Sequence, residues 1–426
     1  VKILIFNQDW FAAEFRELGH QVITCGSDPH MEYRIPFMMN TLSGVLSQLQ
    51  GFEPDVIIWH DNSLPTFLMA GLESTHIPTV FFSVDTFHHD SMHAFMADIF
   101  DHILVAQKDY VRVFDDSDTP KTWLPLWAPR YVEPSNEKKW QATFVGTLNP
   151  ELNPRRVTFF ETLKDRIPIH IAHGDYWEYF PFAEIVINQT VKGDLNFRVF
   201  EAMMSGALLL TEGTPNGLYE IFQEGQHLVT YTPDSVDEAV EKVNSLLQHP
   251  ERMRAIAHAG RDEVLKNHTA MSRALTVNEI ITTLQKRPPA KDRFFRAMVN
   301  HSVTAFLTAR KTGQYLPMPL IAALVAAENG LNLNEHLSDT QASYLVRTCL
   351  AYDSASGSNQ GTGLLFRFAE AMPKSEIITL AAIRTLLNSG KRLEAEVIAS
   401  KISSSPAQEI FNFAEQTVQA ILDQVN

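Results

Sequence analysis

Cysteine is almost missing from this chain of 426 residues, which has only Cys25 and Cys349. Two thiols so far apart offer neither a disulfide framework nor a repeated metal-ligand spacing, and they read as free thiols in a reducing compartment. Basic residues are in deficit as well, 35 Lys and Arg against 50 Asp and Glu, for a formal net charge of -15. Such a balance argues against broad, non-specific nucleic-acid binding. No apolar run reaches the ~18 residues of a membrane-spanning helix, and Val1-Lys2-Ile3-Leu4-Ile5-Phe6 reads as a strand rather than a signal peptide. A cytoplasmic protein is the expectation. Paired glycines are missing from the first loop, Asn7-Gln8-Asp9-Trp10, and no Gly-x-Gly-x-x-Gly occurs anywhere. A nicotinamide-dependent oxidoreductase is therefore disfavoured.

What is present is length and alternation. A chain of this size forms two or three domains, each able to bury its own core. Over the first 125 residues, β-rich runs at 3–6, 21–24, 56–59, 79–84 and 103–105 alternate with helical patterns at 12–18, 42–49, 67–73, 92–99 and 109–114. Runs such as Val80-Phe81-Phe82 lack polar alternation, as strands covered on both faces do. The pattern predicts an α/β unit with a doubly wound parallel sheet over 1–130. Pro125, Pro129 and Pro134 mark a linker. A second alternating unit follows over 131–287, with strands at 142–145, 169–172, 185–187, 207–211 and 228–231 and a last helix at 271–284. After Pro288-Pro289 the pattern turns all-α, with apolar faces at 322–327 and 377–387 and a loop-like, glycine-bearing interruption at 354–363. Residues 288–426 are expected to serve interaction or homo-oligomerisation.

The most informative stretch is 194–206, Asp194-Leu195-Asn196-Phe197-Arg198-Val199-Phe200-Glu201-Ala202-Met203-Met204-Ser205-Gly206. It lies between two short apolar runs, so a polar loop feeds a helix whose first turns hold Asn196, Arg198 and Glu201. Free N–H groups at a helix start attract phosphate, and an arginine strengthens the site. A carboxylate one turn deeper can accept both hydroxyls of a ribose. The spacing suits a nucleoside diphosphate lying over one helix. The competing reading makes Arg198 and Glu201 a surface pair at i,i+3, with Phe197, Phe200 and Met204 as core.

The run from Asn196 to Gly206 with Leu208-Leu209-Leu210-Thr211 resembles the donor-binding segment of the spore-coat CgeB-like glycosyltransferases, within the group 1 transferases. Tyr219-Glu220-Ile221-Phe222, Gly225, Arg261-Asp262-Glu263-Val264, His268-Thr269 and Arg273 also look like that family. The similarity is strong over 140–285, weaker over 1–130 and absent beyond 290. It implies two facing Rossmann-like domains (the GT-B fold), with the last helix crossing back onto the first domain. It also implies hexosyl transfer from a nucleotide-diphosphate sugar to a hydroxyl on a glycan or protein acceptor, without a metal or other cofactor. Glu201 would take the ribose, and Asn196 with Arg198 the diphosphate.

Other candidates follow from that resemblance. Gly146 and Thr147, at the end of the second domain's first strand, allow close approach of a phosphate or sugar. Arg155-Arg156 resembles the family's arginine after this loop, and Arg155 is the member assigned to the donor. Glu212 either reaches the cleft or caps a loop. Relatives carry a further carboxylate two turns before Glu201, where this chain has Gly193 between Lys192 and Asp194. The catalytic assignment is Asp85 with His88, within Asp85-Thr86-Phe87-His88-His89-Asp90, where a carboxylate or neutral imidazole can take the acceptor's proton. His60-Asp61 and Asp9 form a second tier. His89 and His93 have i,i+4 spacing but no third ligand, so no metal is assigned. The departures at Gly193 and in the first loop keep one alternative in view, a catalytically inactive protein of the same fold that acts in assembly through its helical tail.

Overall fold

In the computed structural model, residues 1–35, 42–61 and 69–287 are described apart from 70, 73 and 74, as are scattered positions between 339 and 359 and residues 360–423 apart from 403 and 404. The first domain is built on a seven-stranded parallel sheet with the order β3-β2-β1-β4-β5-β6-β7. Its strands are β1 (Lys2–Phe6), β2 (Gln21–Gly26), β3 (Tyr33–Arg34), β4 (Val56–His60), β5 (Thr79–Ser83), β6 (His102–Val105) and β7 (Lys121–Trp123). Every residue of β4 and β5 is buried, as helices on both faces of a parallel sheet require. The two strands absent from the sequence expectation, β3 and β7, are the sheet's edges. They have two and three residues and no fully buried one, so they leave no apolar run to read.

Helices α1 (Ala12–Glu17), α2 (Leu42–Gln48) and α3 (Thr86–Met96) cover this sheet. α3 starts six residues earlier than its apolar pattern suggests and is kinked at His89. The two amides just before it, of Val84 and Asp85, are held by the carboxylate of Asp61 at the end of β4, a long-range contact that periodicity cannot reveal. The helix expected at 109–114 is a 3-10 helix, Lys108–Phe114. The helix expected at 67–73 and the apolar run at 322–327 lie wholly or largely outside the described residues.

The second domain has a five-stranded parallel sheet, β12-β11-β10-β8-β9, from β8 (Trp140–Val145), β9 (His170–Ala172), β10 (Ala183–Asn188), β11 (Leu208–Glu212) and β12 (Val229–Tyr231). Its helices are α4 (Pro154–Lys164), α5 (Phe197–Met204), α6 (Leu218–Ile221), α7 (Val236–Gln248), α8 (Pro250–Asn267) and α9 (Ala270–Thr283). The chain leaves β8 toward β9 on one side, while β10 lies on the other. The crevice beyond the ends of β8 and β10 is therefore a switch point of the sheet, the place where open α/β sheets bind ligands.

The domains are joined by more than a linker. α9 returns to the first domain, where Asn278 Oδ1 lies 2.7 Å from His20 Nε2. Arg273 donates to Pro125 O at 2.7 Å and Leu126 O at 3.0 Å, and Arg261 donates to Val132 O and Met204 O. These two buried arginines satisfy linker carbonyls that no strand or helix could. Phe197, from the first turn of α5, packs on Trp127 at 5.1 Å and Trp10 at 5.9 Å between ring centroids. One apolar cluster runs from the first sheet through Trp127 to Phe200 and Met203.

In the last third, α10 (Gln360–Ala371), α11 (Glu376–Asn388), α12 (Arg392–Ile402) and α13 (Ala407–Asp423) are helical. α11 and α12 form the expected hairpin through Gly390, whose φ is 74°. The loop expected to run through Gly363 is corrected: Gly361 and Gly363 lie in the first turns of α10. The Asp353 carboxylate accepts from the Gly361 and Thr362 amides at 2.8 and 2.6 Å, capping the helix. A Cβ at Gly361 would stand 2.1 Å from Cys349 O. That glycine serves close packing rather than a turn.

Candidate functional site

The crevice at the ends of β8 and β10 is built around Arg198. Asn188, the last residue of β10, donates to Thr211 Oγ1 at 3.0 Å, which turns its Oδ1 toward Arg198 NH1 at 2.8 Å. Arg198 Nε donates to Val145 O at 3.0 Å, and the guanidinium lies 4.7 Å from the centre of the Phe144 ring. A Cβ at Gly146 would fall 2.6 Å from Arg198 NH2 and 2.9 Å from Phe144. Glycine there is what lets the arginine lie across the end of β8. Burial lowers the Arg198 pKa to about 10, and Arg156 adds to the effect. The group still stays charged at neutral pH.

Asn196 is the residue before the first turn of α5. Its side chain caps nothing, and both amide atoms are buried without a hydrogen-bond partner among the described residues. A buried amide left unpaired costs about 1–3 kcal/mol, and this one keeps both its donor and its acceptor capacity. Glu201, one turn deeper, is half-buried. Desolvation raises its pKa to about 7 against the pull of Arg198. Beside it, the Tyr176 hydroxyl is buried near the Arg130 backbone and makes no well-formed hydrogen bond among the described residues; desolvation raises its pKa, with Glu201 adding to the shift and Arg130 opposing it. Arg130 of the linker covers Trp177 at 4.3 Å. Asn196, Arg198 and Glu201 thus all lie within the first two turns of α5, with Tyr176 and Trp177 beside Glu201.

The two arginines at the start of α4 divide their roles. Asn153 caps the helix by accepting from the Arg156 amide at 3.3 Å, and successive helical side chains diverge by ~100°. Arg155 turns away, to Glu212 at 2.6 Å and to Asp234. Arg156 donates to Gln189 O at 3.1 Å, while its buried Nε has no partner among the described residues. It lies 5.8 Å from the same Phe144 ring that carries Arg198. Glu212 is fully buried and accepts from Thr190 and from Arg155, so it caps the loop after β10. Thr147 is exposed beside Gly146.

Asp85 and His88 stand across the cleft at the start of α3. His88 is exposed, yet partial desolvation lowers its pKa, with Lys192 and His89 in the same sense and Asp85 and Asp61 opposing. From the second domain, Lys192 donates to Phe87 O at 3.1 Å. Asp194 is buried, and desolvation raises its pKa to about 6; Arg156 and Arg198 lower it and Asp85 raises it. Asp194 also accepts from the Val191 amide and lies near enough to both arginines and to Asp85 to feel their charges. Gln107 closes the rear of the cleft, accepting from the Leu195 amide at 2.8 Å and from Asn216 at 2.6 Å. An open depression of about 350 Å³ beyond β11 is lined by residues such as Tyr219 and Thr230.

Sequence reasoning did not single out Arg156 beside the Phe144 ring, Tyr176 beside Trp177, or the Gln107 contact. Only the first left a signal, in the capping Asn153 that fixes the helix phase. His93, considered with His89 for a metal, points into the core and meets Ser83 Oγ at 2.8 Å.

Two facing parallel-sheet domains with this crevice define the GT-B class of glycosyltransferase folds. Sucrose-phosphate synthase from Thermosynechococcus elongatus is 10% identical over 65% of this chain and 97% of its own, with a TM-score of 0.50. HepE from Anabaena in complex with UDP is 11% identical over 67% of this chain and 100% of its own, also at 0.50. HepE with UDP-glucose gives 11%, 66%, 100% and 0.50. At such identities the likeness establishes the fold. Within it, residues 130–279, from the end of the linker through the second domain into the returning helix, match the family described as glycosyl transferase-like. No curated protein sequence matches significantly. Among the described residues, no helix is long and apolar enough to cross a membrane.

Proposed function

We propose that the protein transfers a hexosyl group from a uridine diphosphate sugar to a hydroxyl of a glycan or protein surface component, in the manner of the CgeB-like transferases. One observation carries this reading: a charged arginine, a second arginine and an orphaned asparagine amide converge at the start of one helix, with a desolvated carboxylate one turn on. Arg198 and Arg156 face the diphosphate, and the Asn196 amide and α5 amides donate to its oxygens. Fixed positive charge at the leaving group is the main electrostatic contribution available, and the reading calls on no metal. Glu201 accepts the ribose hydroxyls and Tyr176 donates beside it. Gly146 and Thr147 line the passage from diphosphate to sugar. Asp85, with His88, receives the acceptor's proton as its oxygen attacks the anomeric carbon and the nucleoside diphosphate departs. Uridine is chosen on the HepE complexes with UDP and UDP-glucose, which share the fold.

Calorimetric titration with UDP and UDP-glucose, beside the guanosine, thymidine and adenosine equivalents, tests the reading. Wild-type protein should bind one series. Arg198→Gln should weaken binding roughly 10- to 100-fold, the loss of charge-assisted hydrogen bonds worth ~1.5–3 kcal/mol. No binding of any series at millimolar concentration ends the proposal.

A further inference from the structure

Beneath Asp85 lies a buried carboxylate with no place in the chemistry above. Asp61 follows the last residue of β4, and its backbone is fixed by a hydrogen bond from its amide to Phe82 O at 2.9 Å. Its side chain is fully buried. One oxygen, Oδ2, accepts from the Val84 amide at 3.2 Å and the Asp85 amide at 2.8 Å, and His93 Nε2 stands 3.8 Å from that oxygen. His93 is in turn held by Ser83 Oγ, which meets Thr86 Oγ1 at 2.5 Å. β4, β5 and α3 are thereby tied at a single point.

A helix start is ordinarily capped by the side chain of its own first residue. Asp85 occupies that position in α3, and its carboxylate makes no capping hydrogen bond; the Asp61 carboxylate holds the amides of Val84 and Asp85, just before the first turn. A buried carboxylate is an expensive way to do this, since taking the charge out of water costs several kcal/mol. What the two bonds do is fix the backbone that carries Asp85 into the first turn of α3.

We propose that Asp61 is the positioning residue of the reaction, fixing the β5–α3 turn so that Asp85 and His88 face the donor across the cleft. The role rests on the assignment of that pair in the proposed function. Asp61 touches no substrate; it acts through the backbone of residues 84 and 85 and through its field at His88, which is shared with Asp85, Lys192 and His89.

The test uses Asp61→Asn and Asp61→Glu in the full chain, with UDP-glucose as the probe. UDP affinity is read by calorimetry, UDP release by turnover, and the His88 titration by NMR with His88→Gln for assignment. Asn keeps the shape and removes the charge. It should leave UDP affinity within about twofold and lower kcat by about 10- to 100-fold, the cost of a small misplacement. The His88 pKa should move down, because Asp61 raises it. Glu keeps the charge and displaces the acceptor, so kcat should fall while the His88 titration stays near wild type; this variant decides the matter if the Asn protein does not fold. Unchanged kcat in either folded variant overturns the proposal, as does a kcat loss matched by lost UDP affinity with the His88 titration unmoved. A wild-type protein that binds UDP but neither transfers nor hydrolyses UDP-glucose removes the reaction, and the role with it. If His88 still shifts in that case, the failure belongs to the functional reading rather than to the placement of Asp61.

Discussion

Replacing Glu201 by glutamine should stabilise the free protein while weakening its grip on nucleotide. The carboxylate's pKa is raised from 4.5 to about 7, mainly by desolvation. Each unit is worth ~1.36 kcal/mol between folded and unfolded states, so the upper bound is about 3 kcal/mol. Partial exposure brings the expectation to about 1–3 kcal/mol. Below pH 4.5 the group is protonated in both states and contributes no difference. Between 4.5 and 7 the folded chain keeps a proton that the unfolded chain has released, so stability is lost as pH rises. Above 7 the whole penalty is present. Thermal unfolding of wild type and Glu201→Gln should therefore coincide at pH 4 and separate by about 2–8 °C at pH 8, the variant melting higher. Calorimetry at pH 8 should show its UDP affinity at least about tenfold lower, since an amide is a poorer acceptor for two hydroxyls. A gap of constant size at every pH, or one that closes as pH rises, would refute the desolvation argument. A gap with undiminished UDP affinity would refute the ribose role alone.

The remaining predictions separate site from scaffold. Arg156→Gln should weaken UDP binding about tenfold with little change in melting, whereas Arg155→Gln should lower stability and leave binding nearly intact; calorimetry and thermal unfolding on both decide which arginine faces the donor. Gly146→Ala places a methyl against Arg198 and Phe144, so it should cost about 1–3 kcal/mol in denaturant titration and reduce UDP affinity as the guanidinium shifts. Arg273→Ala strands the buried carbonyls of Pro125 and Leu126 and should lower stability by ~3 kcal/mol in the same titration. Phe197→Ala removes the aromatic plug between the domains; small-angle scattering should show a larger radius of gyration, with an unfolding penalty of ~3 kcal/mol.

Much of the fold was legible because parallel strands buried on both faces have nowhere to put polar residues. Ile3–Phe6 within β1, Val56–His60 and Thr79–Ser83 declare themselves as short apolar runs, and the proline-marked linker separates two such series. The edge strands Tyr33–Arg34 and Lys121–Trp123 stayed hidden because burial on fewer sides imposes no pattern. Glycine at 361 misled because it serves close approach to Cys349 O rather than a turn. At the site, the succession Asn196, Arg198, Glu201 was readable, since helical spacing alone puts those groups within a turn or two of one another.

The sequence by itself therefore determined the α/β alternation, the place where a helix begins beneath two strand ends, and the residue types gathered there. Tertiary structure decided what each residue does. It sent Arg155 to Glu212 and Arg156 to the Gln189 carbonyl, left the Asn196 amide without a hydrogen-bond partner among the described residues, turned Glu212 into a loop cap and set Asp61 under Asp85. Those outcomes depend on contacts between residues 20 to 100 positions apart, and on desolvation summed over whatever happens to surround a group. Neither is encoded in local periodicity, because a charge's environment belongs to the packed molecule and not to its neighbours along the chain.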